Sequence, residues 1–345
     1  MPHKDLTVAG LFAGVGGIER GFESAGFKTV FANELDPYAI TTYSANRLQN
    51  SDEHFEVTPG DIVELALPEN LGLIPKGFMV LTGGFPCQPF SVAGYRKGFN
   101  DDRGNVFWSI RDIARARKPD VIFLENVKNL VGHDSGNTYR VIRGALGNKP
   151  TDEAAPGLGY HVHDRVLNAR DFGIPQNRER IYIVAFRTKR ASDKFRWPEP
   201  IELRNELKDF IDFDAQVDPK YYYPKGSFLH SRLVGEITST NRVYQWRRRY
   251  VRPNMSGVCP TLTANMGMGG HNVPLILDTD GRIRKLTPTE CFRLMGFNPK
   301  RNDPKFDMKF PETMADSRLY KQAGNAVVVP VIAKIAEQIR LAVES

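Results

Sequence analysis

The chain has 345 residues, of which 41% are hydrophobic and 25% are charged, as in ordinary globular enzymes. No apolar stretch approaches the length of a membrane span and no signal peptide is visible, which predicts a cytoplasmic protein. Its only cysteines, Cys87, Cys259 and Cys291, are widely spaced. This pattern excludes a disulfide framework and resembles no zinc site, and we expect no metal. The net charge of +7 modestly favours a polyanionic partner.

The first half of the chain alternates short apolar runs with amphipathic stretches. Such alternation predicts an α/β fold with a mostly parallel sheet covered by helices on both faces. The predicted strands span residues 6–12, 29–32, 78–82, 121–125, 161–168 and 180–186. The predicted helices span residues 17–25, 37–47, 105–116 and 139–146.

The pattern changes near residues 187–200, and the chain is irregular from there to about residue 311, which indicates a second, smaller domain with long loops. Within it, residues 241–252 (NRVYQWRRRYVR) hold five arginines and three aromatic residues. This mixture suits phosphate contacts and base stacking, although a solvated basic face explains the composition equally well. The last segment, residues 324–343, predicts an apolar strand followed by a helix.

Cys87 lies in the sequence GGFPCQPFS, directly after a predicted strand. The two glycines end the strand, and Pro86 and Pro89 restrict the backbone on either side of the thiol. A stiff loop predicts a positioned nucleophile rather than a small apolar filler of the core. Cys259 and Cys291 lack such neighbours, and we predict that they are buried thiols.

The sequence FAGVGG, residues 12–17, follows the first predicted strand and opens a helix. Glycines at this position allow close approach of a ligand to the backbone and to the helix N-terminus. Glu34 ends the second strand 20 positions after Gly14, where a carboxylate would bind ribose hydroxyls. Asp61 could accept the adenine amino group or could be a solvated turn residue. Glu19 replaces the third glycine of the dinucleotide fingerprint, which disfavours an NAD-linked oxidoreductase.

Eight blocks of the sequence resemble those of the DNA (cytosine-5)-methyltransferases and occur in the same order. The blocks are FAGVGG, Glu34, Gly60-Asp61-Ile62, GGFPCQPFS, Glu125-Asn126-Val127, Gln176-Asn177-Arg178-Glu179-Arg180, RKLTPTECFRLMGF and YKQAGNAVVVP. The resemblance implies a Rossmann-like S-adenosylmethionine-dependent methyltransferase domain, residues 1–190 and 318–345. It also implies a smaller, irregular, mainly β target-recognition domain, residues 191–317.

The same resemblance assigns the catalytic residues. Cys87 would add to carbon 6 of a cytosine that has been flipped out of the duplex, which makes carbon 5 nucleophilic. Glu125, predicted to be buried, would recognise N3 and the exocyclic amine. Arg178 and Arg180 would hold the cytosine O2 and position the Cys87 loop.

The cofactor would be S-adenosylmethionine, leaving S-adenosylhomocysteine as product. The residues expected to line its pocket are Phe12, Gly14, Gly16, Gly17, Glu34, Leu35, Asp61, Ile62, Asn325 and Ala326. Many relatives have an aromatic residue where this chain has Leu35, which predicts apolar contact with the adenine instead of stacking.

Duplex DNA is the expected partner of a monomeric enzyme of the bacterial restriction–modification kind, with a cognate endonuclease encoded nearby. The residues expected to contact DNA are Gln88, Ser91, Gln245, Arg247, Thr261 and Leu262. Two alternatives stay open: a tRNA cytosine methyltransferase on the same scaffold, and a nucleic-acid-binding regulator without catalysis. The long basic insert favours duplex DNA, and the intact catalytic residues favour an enzyme.

Overall fold

The structure is a computed structural model that describes residues 5–47, 56–86, 106–147, 157–267, 271–297 and 308–345. The chain forms two compact units. Unit 1 contains the described residues of Met1–Leu167, Glu179–Glu199 and Val331–Ser345, and unit 2 those of Asn168–Arg178 and Pro200–Pro330. Unit 2 therefore includes residues 168–178 and 318–330, outside the predicted target-recognition domain. That functional division stays a prediction.

Thirteen strands lie in the described residues. In chain order they are β1 (Thr7–Leu11), β2 (Lys28–Glu34), β3 (Thr58–Pro59), β4 (Val80–Gly84), β5 (Val121–Val127), β6 (His161–Asn168), β7 (Gln176–Asn177), β8 (Glu179–Phe186), β9 (Tyr244–Trp246), β10 (Val251–Pro253), β11 (Cys259–Pro260), β12 (Val273–Leu277) and β13 (Ile283–Lys285).

The α-helices of the described residues are α1 (Gly17–Ser24), α2 (Pro37–Arg47), α3 (Ile62–Leu65), α4 (Val106–Arg117), α5 (Asn137–Leu146), α6 (Lys189–Lys194), α7 (Phe228–Leu233), α8 (Pro288–Arg293), α9 (Asp316–Asn325) and α10 (Val329–Glu344). Short 3-10 segments are Leu71–Leu73, Lys128–Gly136, Ala169–Phe172, Leu207–Asp209 and Pro219–Tyr221. Within the described ranges, none of these helices is both long enough and apolar enough to cross a bilayer.

Unit 1 is built on a seven-stranded sheet with the order β3-β2-β1-β4-β5-β8-β6. Strands β3, β2, β1, β4 and β5 are parallel, and β8 runs antiparallel to β5. The central strands are almost entirely buried, as expected for strands covered on both faces: Val8, Leu81, Ile122 and Val184 have no exposed surface. The predicted mostly parallel sheet is confirmed.

Unit 2 contains a separate antiparallel sheet with the order β10-β9-β12-β13. Its buried face holds Tyr244, Trp246, Leu275 and Ile283 in one hydrophobic cluster. A further pair, β7 and β11, forms a two-residue parallel ladder. The α/β sheet of unit 1 and the separate antiparallel sheet of unit 2 confirm the predicted fold class.

The strand predicted after residue 324 is wrong. Asn325 ends α9, and α10 begins at Val329 after a short extended connection at Ala326. Pro330 lies in the first turn of α10, where a helix needs no backbone N–H donor. The apolar run therefore supplies the buried face of a helix that contains Val331, Ile332 and Ile335. The predicted burial of Cys259 and Cys291 is confirmed.

Candidate active site

The carboxyl ends of β1, β2, β4 and β5 lie at one edge of the sheet because these strands are parallel. Ligands of open α/β sheets bind outside this edge. Phe12 follows β1, Glu34 ends β2, and Glu125 lies near the end of β5. The structure thus brings predicted cofactor and catalytic residues of unit 1 to the same edge.

Glu125 and Arg180 form an ion pair between neighbouring strands. Arg180 Nε lies 3.0 Å from Glu125 Oε1, and the two side chains are 13% and 10% exposed, respectively. In the antiparallel register Arg180 is opposite Val127, which makes Glu125 its diagonal neighbour. The predicted burial of Glu125 is confirmed.

Glu125 also faces the strand that leads to Cys87. Gly84 pairs with Glu125, and a Cβ atom at Gly84 would lie 3.5 Å from Glu125 Oε2. Asn126 Nδ2 donates a 2.9 Å hydrogen bond to the Phe85 carbonyl, which fixes the chain two residues before the predicted nucleophile. The predicted site residues that fall outside the described part of the chain are Cys87, Gln88 and Ser91.

Arg178 belongs to unit 2 and binds backbone there. Its Nη1 donates to the Leu262 carbonyl at 2.7 Å, and its Nη2 donates to the carbonyls of Gly324 and Ala326 at 3.0 and 2.7 Å. The residue is 3% exposed. These contacts suit a positioning role, whereas Arg180 is the arginine that the structure brings to Glu125.

The glycine loop after β1 has the backbone that the sequence predicts. Phe12, Gly14 and Gly16 have φ values of 55°, 56° and 86°, and Gly17 begins α1. A Cβ atom at Gly14 would meet no atom within 4 Å, whereas one at Gly16 would lie 2.9 Å from the Tyr43 ring. The loop therefore offers its backbone to open space on one side and contacts the core on the other.

Glu34 is hydrogen-bonded to the backbone of this glycine loop. Glu34 Oε2 accepts a 2.7 Å hydrogen bond from the Gly14 amide, and Oε1 accepts from the amides of Leu35 and Asp36 at 2.9 and 2.8 Å. Leu35 is 64% exposed next to this carboxylate. A fixed carboxylate, an open glycine backbone and an exposed apolar side chain fit an adenosine-containing ligand.

Asp61 and Ile62 follow β3 at the same edge of the sheet. Asp61 Oδ1 caps α3 by accepting from the Val63 amide at 2.9 Å, and the Ile62 side chain is buried. Asn33 Nδ2 donates to the carbonyls of Thr58 and Gly60, which holds this segment beside β2. Among the residues that the structure describes, no group of three or more His, Cys, Asp or Glu residues could hold a metal ion.

Comparison with known proteins assigns the family. A family model described as "C-5 cytosine-specific DNA methylase" matches residues 6–341. The chain belongs to this family. It is a DNA (cytosine-5)-methyltransferase, and the methylase is similar along almost its whole length to curated relatives.

Two of these relatives are type II methyltransferases. M.Bsp6I from a Bacillus species is 51% identical over 339 residues, covering 97% of this chain and 98% of that protein. M.HhaI from Haemophilus parahaemolyticus is 36% identical over 359 residues, covering 97% and 96%. A solved DNMT2 variant from Spodoptera frugiperda shares the fold at 18% identity with a TM-score of 0.70, covering 97% of this chain and 99% of that one.

The DNA-contact residues predicted in unit 2 of the methylase differ in exposure. Gln245 is buried in β9, and its Oε1 accepts from Arg247 Nη1 at 3.3 Å. Arg248 and Arg249 of the basic segment 241–252 were not among the predicted DNA contacts, and both are exposed at the β9–β10 turn. Thr261 is half-buried, and its hydroxyl donates to the Asn177 carbonyl at 2.6 Å, while Leu262 is buried.

The buried environment of Glu19 was not predicted from the sequence. This residue of α1 is 1% exposed, and a Cβ atom at Gly10 of β1 would overlap its carboxyl oxygen. Burial raises the pKa of Glu19 to about 7, while Arg47 and the backbone amide of Glu19 lower it less. The glycine in the middle of an otherwise apolar strand was the available signal.

Proposed function

We propose that this methylase transfers a methyl group from S-adenosylmethionine to carbon 5 of one cytosine within a short duplex DNA sequence. The observation that carries this proposal is the buried Glu125–Arg180 pair at the carboxyl edge of the sheet. Glu125 lies beside Gly84, three residues before Cys87. A carboxyl group and a guanidinium at this edge of the sheet, with a thiol three residues after Gly84 in the sequence, are the groups that activation of cytosine requires.

Carbon 5 of cytosine is a poor nucleophile toward a methyl donor. In the proposed reaction, the Cys87 thiolate forms a bond to carbon 6, and the displaced electron pair makes carbon 5 nucleophilic. Glu125 holds N3 and the exocyclic amine, and Arg180 donates to O2, where negative charge develops. After methyl transfer, water removes the carbon 5 proton and the Cys87–carbon 6 bond breaks, which restores the aromatic ring.

S-adenosylmethionine supplies an electrophilic methyl group when it is bound. We propose that the Gly14 backbone and Glu34 hold its adenosine part, with Leu35, Asp61 and Ile62 around the base. The hydrogen bond from the Gly14 amide to Glu34 and the open space at Gly14 support this proposal. Phe12, Gly16 and Gly17 belong to the same glycine loop, and we also propose Asn325 and Ala326 as cofactor-binding residues because the family resemblance predicts them.

The target cytosine must leave the base stack, which costs a few kcal/mol that protein–DNA contacts have to offset. The exposed basic turn between β9 and β10 supports duplex DNA as the substrate. We propose that residues 191–317 set the sequence preference. The type II relatives support a protective role in restriction–modification. We further propose that a cognate endonuclease is encoded nearby and that the methylase acts as a monomer in the cytoplasm.

The direct test is to incubate the purified protein with S-adenosylmethionine and unmethylated plasmid DNA and then to sequence the DNA after bisulfite conversion. We expect protected cytosines in a single short sequence context, and tRNA offered under the same conditions should stay unmodified. Methylation of tRNA alone, or at an exocyclic nitrogen of the DNA, would contradict the proposal.

A further inference from the structure

We propose that Arg178 is a positioning residue that couples cofactor binding to DNA recognition. It links two segments of unit 2: the recognition segment, residues 259–264, which contains the predicted DNA contacts Thr261 and Leu262, and the cofactor segment, residues 324–326, which contains Asn325 and Ala326. The inference rests on the proposed function of these segments. It gives Arg178 a role in addition to the contact with the cytosine O2 that the family resemblance implies.

The guanidinium of Arg178 bonds to both segments at once. One nitrogen binds the Leu262 carbonyl of the recognition segment, and another binds the carbonyls of Gly324 and Ala326 in the cofactor segment, all at 2.7–3.0 Å. Because a guanidinium is planar and rigid, its donors hold their acceptors in a fixed relative arrangement. A lysine in its place would be a point charge on a flexible stem and could not hold the same geometry.

The recognition segment is also attached to the chain just before Arg178. In the parallel ladder Cys259 is opposite Gln176 and Pro260 is opposite Asn177. Beyond the ladder, the Leu262 amide donates to Gln176 Oε1 at 3.1 Å and the Thr261 hydroxyl donates to the Asn177 carbonyl. Gln176 Nε2 donates at 2.7 Å to the carbonyl of Leu294, which is not part of the cofactor segment.

The two segments are in close backbone contact. A Cβ atom at Gly324 would lie 2.2 Å from the Thr263 carbonyl carbon and 2.3 Å from the Ala264 amide nitrogen. With no room for a side chain between them, a displacement of one segment must displace the other. Close contact combined with a shared guanidinium gives the cofactor segment a physical route to the recognition segment.

Coupling of this kind is reciprocal and can be measured as a ratio of affinities. We would titrate S-adenosylhomocysteine into the protein by calorimetry, with and without the duplex that bisulfite sequencing identifies. In the unaltered protein the duplex should tighten binding of the product by about 5-fold or more. In Arg178→Met the ratio should fall close to 1, and Arg178→Lys should lie between the two.

Gln176→Leu is the matched control because Gln176 is also buried and its side chain hydrogen-bonds to Leu262 and Leu294, whereas Arg178 bonds to Leu262 and to the cofactor segment. It should weaken DNA binding but keep the affinity of the DNA-free protein for S-adenosylhomocysteine. Arg178→Met should lower that affinity as well. Equal effects of the two substitutions on product affinity would mean that Arg178 is only part of the scaffold, and would overturn the inference.

Hydrogen exchange on the unaltered protein gives a readout that does not depend on any variant folding. Adding S-adenosylhomocysteine alone should slow amide exchange in residues 259–264. If exchange slows only in the glycine loop and residues 324–326, the coupling is absent while the proposed function stands. If the protein does not bind S-adenosylhomocysteine at all, the proposed function and this inference both fail.

Discussion

Glu125 and Glu19 are two buried carboxyl groups with different surroundings and different roles. Glu125 lies at the carboxyl edge of the sheet and pairs with Arg180. Glu19 lies under β1, where burial raises its pKa to about 7. The first is expected to act on the substrate, and the second affects the stability of the fold.

Replacing Glu125 with Gln should lower the rate of methyl transfer by about 100-fold or more, the scale on which one positioned hydrogen-bonding group at a reacting centre contributes. The amide keeps the shape of the side chain but loses the charge that pairs with Arg180. Single-turnover methyl transfer with a labelled cofactor measures the effect. Glu179→Gln is the control, because the Glu179 side chain forms a solvent-exposed pair with Lys128 and its loss should change the rate by less than about twofold. Equal rates for the two variants would remove Glu125 from the mechanism.

Glu19 should make the free energy of unfolding depend on pH. Its pKa of about 7 lies above its usual value of 4.5, and the folded protein therefore keeps a proton that the unfolded chain releases between these values. The contribution of Glu19 to stability is present below pH 4.5 and is lost as the pH rises to 7, by on the order of 3 kcal/mol.

Glu19→Gln cannot ionise and should remove this decline. Urea unfolding at pH 5 and pH 8 should show a smaller difference for Glu19→Gln than for the unaltered protein, and a more stable variant at pH 8. The exposed residue Glu64 provides the control, since Glu64→Gln should leave the difference unchanged. An unchanged difference in Glu19→Gln would show that Glu19 is solvated.

The sequence predicts the bounds of an element best where a start signal is present, such as Pro37 at the first position of α2. The helix at residues 37–47 and the strand at 161–168 match the structure at both ends. The short apolar run near Val328 was misread because its period fits a buried strand as well as the start of a helix. At the site, the burial of Glu125 followed from its strand, but the contacts of Arg178 could not be foreseen because backbone carbonyls carry no sequence signal.

The β9–β10 hairpin is expected to contact DNA through its turn. The Arg247 amide donates to the Tyr250 carbonyl and closes the turn, which leaves Arg248 and Arg249 exposed. Arg249→Ala and Arg248→Asn should each weaken duplex binding and reduce the slope of log affinity against log salt by about 0.9, the value for one lost phosphate contact. Asn is chosen at residue 248 because it tolerates the positive φ of 67° found there.

Fluorescence anisotropy at several salt concentrations measures these slopes. Lys208→Ala is the control, because Lys208 is an exposed cation that pairs with Glu206 elsewhere in unit 2. It should leave the slope unchanged. If the arginine variants keep the slope of the unaltered protein, the hairpin does not contact the DNA backbone.

For the molecule as a whole, the separate antiparallel sheet of unit 2 suggests that sequence preference can be transferred. A hybrid in which residues 191–317 replace the corresponding region of M.HhaI should methylate the duplex sequence of this chain. Bisulfite sequencing of plasmid DNA from cells that express the hybrid measures the preference. As a control, a hybrid that exchanges only residues 191–240 does not carry the antiparallel sheet and should keep the sequence preference of the recipient. If the full hybrid also keeps that preference, recognition lies outside residues 191–317.

The central claim is that Cys87 forms a transient bond to carbon 6 of a flipped cytosine. A duplex with 5-fluorocytosine at the target position tests it. After methyl transfer, carbon 5 of this base carries fluorine in place of the hydrogen that must leave as a proton, and the adduct therefore cannot break down. With S-adenosylmethionine present, we predict a protein–DNA complex that survives denaturing electrophoresis, and none with Cys87→Ser. A protein that methylates the ordinary duplex but never forms this complex, or a Cys87→Ser variant that forms it equally well, would contradict the account.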